Sequence, residues 1–89
     1  KPAINNDMQA AVVAVTVRPN PVSTQLTINM GKVENNAVVQ IYNSAGVLMY
    51  NRRITNTTID IPAAYWKAGI YWVNVINGDQ RTVKKIVKL

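Results

Sequence analysis

The stretch that most constrains this chain is Gly69 to Leu89, GIYWVNVINGDQRTVKKIVKL. Two alternating apolar runs are joined there by Asn77-Gly78. Asn-Gly between such runs is the strongest short-range hairpin signal, because both central residues of a type I′ turn need positive φ. Alternation sends Tyr71, Val73 and Val75 to one face and Ile70, Trp72, Asn74 and Ile76 to the other. Domains normally leave their last residues loose, but this final run is as apolar as an interior strand and is expected to be tied into a sheet. Its facing is open to two readings. Strict alternation groups Arg81, Val83, Lys85, Val87 and Leu89, which buries or half-buries Lys85. A bulge at Lys84-Lys85 places Val83 and Ile86 together and frees both ammonium groups, and it is the preferred reading.

Upstream, Lys1 to Ala10 is polar and aperiodic, with too little apolar surface to offset ordering entropy, so 1–11 reads as a linker and 12–89 as one folded domain. A first strand alternates Ala11, Val13, Val15 and Val17 against Val12, Ala14, Thr16 and Arg18, and Pro19-Asn20-Pro21 ends it in a stiff corner. A second strand points Leu26, Ile28 and Met30 inward, and Gly31 to Asn36 reads as a loop. A third carries Ala37, Val39 and Ile41 on one face and Val38, Gln40 and Tyr42 on the other. Asn43-Ser44-Ala45-Gly46 is a hairpin loop, with Gly46 at the left-handed position. The returning strand, Val47 to about Arg53, is expected to face Leu48 and Tyr50 inward. Thr57, Ile59 and Ile61 make a short fifth strand stopped by Pro62. The segment AAYWKA that follows is too short for a stable helix, so a single turn or crossover loop is expected, with Trp66 plugging one end of the core. Seven short strands with turn signals every 8–12 residues are the pattern of an all-β, two-sheet antiparallel sandwich.

Composition agrees and narrows the chemistry. The apolar load sits in Val, Ile, Ala and Leu with no Phe, which favours pleated packing. There is no Cys and no His, so disulfides and thiolate sites are excluded and the commonest general base and metal ligand is missing. Neither an enzyme, a metal nor a cofactor is expected. No apolar run is long enough to span a bilayer as a helix. The chain opens on Lys1 with no export signal ahead of the fold and reads as an excerpt or processed piece of something longer. A formal charge of +6 is spread over the chain without a basic stripe interleaved with aromatics, which argues against nucleic acid.

Four marks occur together: Pro19-Asn20-Pro21-Val22 leading into Leu26-Thr27-Ile28; Val39-Gln40-Ile41-Tyr42-Asn43 with Gly46-Val47-Leu48; Ala68-Gly69-Ile70-Tyr71; and Lys84-Lys85-Ile86-Val87-Lys88. In this order they resemble the C-terminal sorting domain, type A, of the type IX (Por) secretion system of Bacteroidetes, over roughly Val12 to Leu89. Two positions depart from the family pattern: Arg18 stands where an aromatic is frequent, and Trp66-Lys67 where Leu-Pro is usual.

The resemblance implies an immunoglobulin-like sandwich that acts as a secretion address. Such a domain directs a periplasmic cargo through an outer-membrane translocon, with shuttle components, and a cell-surface sortase then removes it. On that basis Pro19, Asn20, Pro21, Gly69, Tyr71, Lys84, Lys85, Ile86, Val87, Lys88 and Leu89 are the expected recognition residues. Cleavage is expected in the linker, across Asn5, Asn6, Asp7, Met8, Gln9 and Ala10. The other reading is an adhesion or glycan-binding sandwich exposing Trp72 or Tyr42 as a stacking platform, which would need a pocket of convergent polar groups. Apolar strand edges also lead us to expect weak homodimers in concentrated solution.

Overall fold

The computed structural model describes residues 15–34 and 37–89. They form seven strands, β1 (Thr16–Arg18), β2 (Gln25–Asn29), β3 (Val38–Asn43), β4 (Leu48–Arg53), β5 (Thr58–Pro62), β6 (Gly69–Asn77) and β7 (Gln80–Lys88). The strands pair antiparallel in two sheets, ordered β1-β2-β5 and β4-β3-β6-β7. Among the described residues there is no helix. The linker and the expected cleavage positions Asn5 to Ala10 lie outside the described residues, as do Ala11 to Ala14 of the first expected strand.

Period-two alternation builds the core. Leu26, Ile28 and Met30 from one sheet meet Val39, Ile41, Tyr71, Val73 and Val75 from the other, and all are buried. These are the faces that the apolar pattern predicts. Ile54, also buried, carries the chain from the four-stranded sheet toward β5, its N–H donating to the Ala37 carbonyl at 2.9 Å. The segment after Pro62 is a single turn, closed by the Trp66 N–H on the Ala63 carbonyl at 3.1 Å. Trp66 packs half-buried against the core, 4.8 Å from the Tyr71 ring.

Three local expectations are corrected. The first concerns β7, whose register with β6 runs unbroken from Asn77↔Gln80 to Gly69↔Lys88, so there is no bulge at Lys84-Lys85. Alternation holds, but the set containing Lys85 is the outward one, and Ile86 is the residue that enters the core. No ammonium has to be rescued by a bulge, because Lys85 already faces solvent.

The second correction is the irregularity found instead between β3 and β4. Ile41 pairs with Tyr50, but Tyr42 pairs with Leu48. Leu48 is therefore carried outward and is 43% exposed, while Tyr50 remains half-buried. As the edge of its sheet, β4 has a neighbour on one side only.

The third is the β6–β7 turn. The ladder closes on Asn77↔Gln80, so the two loop residues are Gly78 and Asp79. Gly78 has φ +64°, and no described residue other than glycine has positive φ. Glycine first and a negative φ second is the type II′ arrangement. Asn77 is held out of the loop by its own side chain, which is buried: its Oδ1 accepts from the Glu34 N–H at 2.7 Å and its Nδ2 donates to the Lys32 carbonyl.

Candidate functional site

Residues from each of the four marks, scattered through the sequence, become neighbours at one end of the four-stranded sheet. At the centre, Gly69 and Tyr71 open β6. On one side Tyr71 pairs with Asn43, the last residue of β3. On the other, Tyr71 pairs with Ile86 and Gly69 with Lys88. Beyond β7, the Pro-Asn-Pro-Val segment lies along the strand's outer edge.

That last contact is made of backbone and one amide. The Asn20 Nδ2 donates to the Lys85 carbonyl at 3.2 Å, and the Val87 N–H donates to Asn20 Oδ1 at 3.0 Å. One residue pair further, the Val22 N–H donates to the Val87 carbonyl at 2.8 Å and the Leu89 N–H to the Val22 carbonyl at 2.9 Å. Val22 thus forms an isolated parallel bridge to Lys88, its side chain fully buried. A side-chain amide carries a donor and an acceptor in the geometry of a peptide group, so Asn20 extends the ladder where the two prolines cannot donate. The peptide bonds preceding Pro19 and Pro21 are both cis.

On the opposite flank, Asn43 closes the β3–β4 hairpin by accepting the Ala45 and Val47 N–H groups on Oδ1, each at 2.9 Å. Gly46 takes φ +84° there, as the turn composition predicts. Tyr71 is buried with its ring against Trp66, and its hydroxyl donates to the Lys67 carbonyl at 2.7 Å. Trp66-Lys67, one of the two departures from the family pattern, therefore supplies both a ring contact and an acceptor to the Gly-x-Tyr mark.

The three lysines do not form one patch. Lys85 points outward beside Trp72, and Lys84 points the other way, opposite Val73, reaching solvent along the strand edge. Lys88 is only 8% exposed, with its Nζ donating to the Leu89 backbone oxygen at 2.9 Å. Ile86 is core, while Val87 and Leu89 are exposed. Of the charged tail residues, Lys84 and Lys85 present free ammonium groups at the surface. Sequence reasoning missed the part played by Val22 and Asn43; an apolar residue straight after the second proline was the available signal for the former. Among the described residues, no cluster of three or more metal-ligating side chains occurs.

A model of the secretion system C-terminal sorting domain matches residues 16–89. The chain belongs to that family. The match begins at the first residue of β1 and runs through all seven strands of the sorting domain. No curated protein matches the sorting domain in sequence. Among solved structures it is similar to PorZ, an essential bacterial surface component of the type IX secretion system of Porphyromonas gingivalis, with a TM-score of 0.73 and 21% identity. That likeness covers 85% of this chain and 11% of PorZ, so the sorting domain spans about a tenth of that protein's length. It is also similar to a DUF3244 family protein from Bacteroides vulgatus with an immunoglobulin-like β-sandwich fold, with a TM-score of 0.69 and 18% identity. Here 86% of this chain and 96% of the other are covered. At such identities the two likenesses show the fold, an immunoglobulin-like sandwich. Family membership makes the domain a type IX C-terminal sorting signal, which implies export to the cell surface or secretion.

Proposed function

We propose that the sorting domain works as a rigid, non-catalytic address. It directs the cargo protein ahead of it from the periplasm through the type IX outer-membrane translocon, and a cell-surface sortase then removes it by cutting in the region Asn5 to Ala10. Translocon and shuttle components read the end of the sheet where Pro19–Pro21, Gly69–Tyr71 and Lys84–Leu89 converge.

One observation carries the reading: residues from each of the four family marks, up to 67 residues apart in sequence, are held side by side by backbone hydrogen bonds and by the Asn20 side-chain amide. Lys84 and Lys85 extend from that ordered frame on opposite sides of β7, and cations held at fixed positions can orient encounter with an acidic receptor surface.

The test is fusion of the domain to a periplasm-targeted reporter in a host that has the system. The reporter is expected at the cell surface or in the medium, with the domain cut away. A reporter that stays in the periplasm while the domain is folded and intact would sink the proposal.

A further inference from the structure

The two outer faces of the sandwich differ in kind. Outside the three-stranded sheet, polar side chains hydrogen-bond to one another along the ladder, Thr27 to Asp60 at 2.7 Å and Asn29 to Thr58 at 3.0 Å. That face is finished against water. The outer face of the four-stranded sheet is not. A single row there runs Leu48, Tyr42, Trp72, Lys85 across all four strands. Ile70 and Val87 form the next pair on one side, and on the other side Val83, 56% exposed, stands opposite Asn74.

Cations occupy both margins of this apolar field. Arg81 and Lys85 lie on β7, and Arg53 lies on β4. Among the described residues no carboxylate lies on the face: Asp60 is on the other sheet, Asp79 is in the β6–β7 turn, and Glu34 is in a loop with Lys32 3.7 Å away. An aromatic and aliphatic centre within a charged rim is the anatomy of a protein interface, and an exposed apolar field of this kind marks an interaction surface.

We propose that the outer face of the four-stranded sheet, centred on Trp72, docks a protein whose contact surface is apolar in the middle and rich in carboxylates at its rim. The proposal rests on the sorting reading for where that partner is met, not for the surface itself. Charge selects the occupant. A second copy of the chain laid on this face would set Arg53, Arg81 and Lys85 against their equivalents, a like-charge arrangement that opposes self-association. A polysaccharide needs side-chain acceptors as well as donors turned outward, and the cations of this face only donate. The acceptor nearest the Trp72 row, Gln40 Oε1, is already taken, with Asn74 Nδ2 and the Tyr42 hydroxyl both donating to it at 3.4 Å. The aliphatic neighbours Ile70, Val83 and Val87 offer a sugar nothing to bond.

The experiment places a photo-crosslinking amino acid at Val83, or at Thr58 on the opposite outer face as a control. Both are in the full chain fused to the periplasm-targeted reporter, expressed in a host with the type IX system. The Val83 probe is expected to give a discrete protein adduct at least tenfold stronger than the Thr58 probe, with Asp or Glu flanking the crosslinked partner segment. Arg53→Glu with Arg81→Glu, and separately Trp72→Thr, should each reduce that adduct at least tenfold while circular dichroism and the melting curve stay those of the folded domain. Equal labelling from Val83 and Thr58, labelling only of polysaccharide or of a second copy, or no adduct at all would each overturn the proposal. Reporter export in the same cells keeps the two readings apart. Export that proceeds unchanged in the Trp72→Thr and charge-reversed variants removes the docking face and leaves the sorting role standing. An adduct formed without export of the unmodified reporter does the reverse.

Discussion

Asn20 and Val87, 67 residues apart in sequence, are joined at 3.0 Å by a backbone N–H donating to a side-chain oxygen. The same Asn20 amide donates to the carbonyl of Lys85, so one short polar side chain spans two peptide groups on the edge of β7. Strand edges with unpaired peptide groups invite pairing with other chains. Here the edge is closed from within by a corner whose prolines would otherwise leave it without a donor.

Replacing that amide should loosen the tail without unfolding the sandwich. Asn20→Ala is expected to cost about 1–2 kcal/mol in urea denaturation, the worth of two hydrogen bonds at an exposed site. Amide exchange should accelerate at Val87 and not at Val73 in the sheet interior. Asn20→Asp keeps the acceptor for Val87 but sets a carboxylate oxygen against the Lys85 carbonyl, so it should not recover the stability lost in Asn20→Ala.

The tail strand divides cleanly between packing and display. Ile86→Ala removes a fully buried side chain and is expected to cost about 2–4 kcal/mol. Lys84→Gln with Lys85→Gln touches exposed residues and should change stability by less than about 0.5 kcal/mol. Under the proposed function the double glutamine variant nevertheless retains the reporter in the periplasm. Paired melting curves and export assays check both halves.

Gly78 is held by two constraints that a double variant can separate. Its φ is +64°, and a Cβ added there would stand 2.9 Å from the Glu34 Cγ. Gly78→Ala should cost about 1–2 kcal/mol for the left-handed backbone, plus whatever moving Glu34 requires. In Gly78→Ala with Glu34→Ala the steric part vanishes and the backbone part remains. Chemical denaturation of Gly78→Ala, Glu34→Ala and the double variant would show whether the Glu34 side chain yields freely.

Gly46 provides the matching control. It has φ +84° with no neighbour near the site of a Cβ, so Gly46→Ala is expected to cost only the backbone part, about 1 kcal/mol. A loss well above that of Gly78→Ala would contradict the open space seen at the β3–β4 hairpin.

The open β4 edge, with Leu48 and Met49 exposed, leads us to expect weak self-association at millimolar concentration. Analytical ultracentrifugation should detect it, and Met49→Lys should suppress it.

The sequence by itself determined the seven strands and the inward faces of β2, β3 and β6, because alternation is a local property of the chain that any sheet must respect. It also placed the glycine at position 46 and carried the family's marks. Tertiary structure decided what alternation leaves open on edge strands, where a neighbour stands on one side only. It set Lys85 outward and Ile86 inward without a bulge, moved the irregularity to β3–β4, and turned Leu48 to solvent. It also converted the expected Asn-Gly turn into a Gly-Asp one, because the Asn77 carboxamide is captured by the loop at Lys32–Glu34, 43 residues away for its nearer bond. Which side chains complete a distant backbone depends on what packs across from them, and nothing local to Asn20 or Asn77 states that.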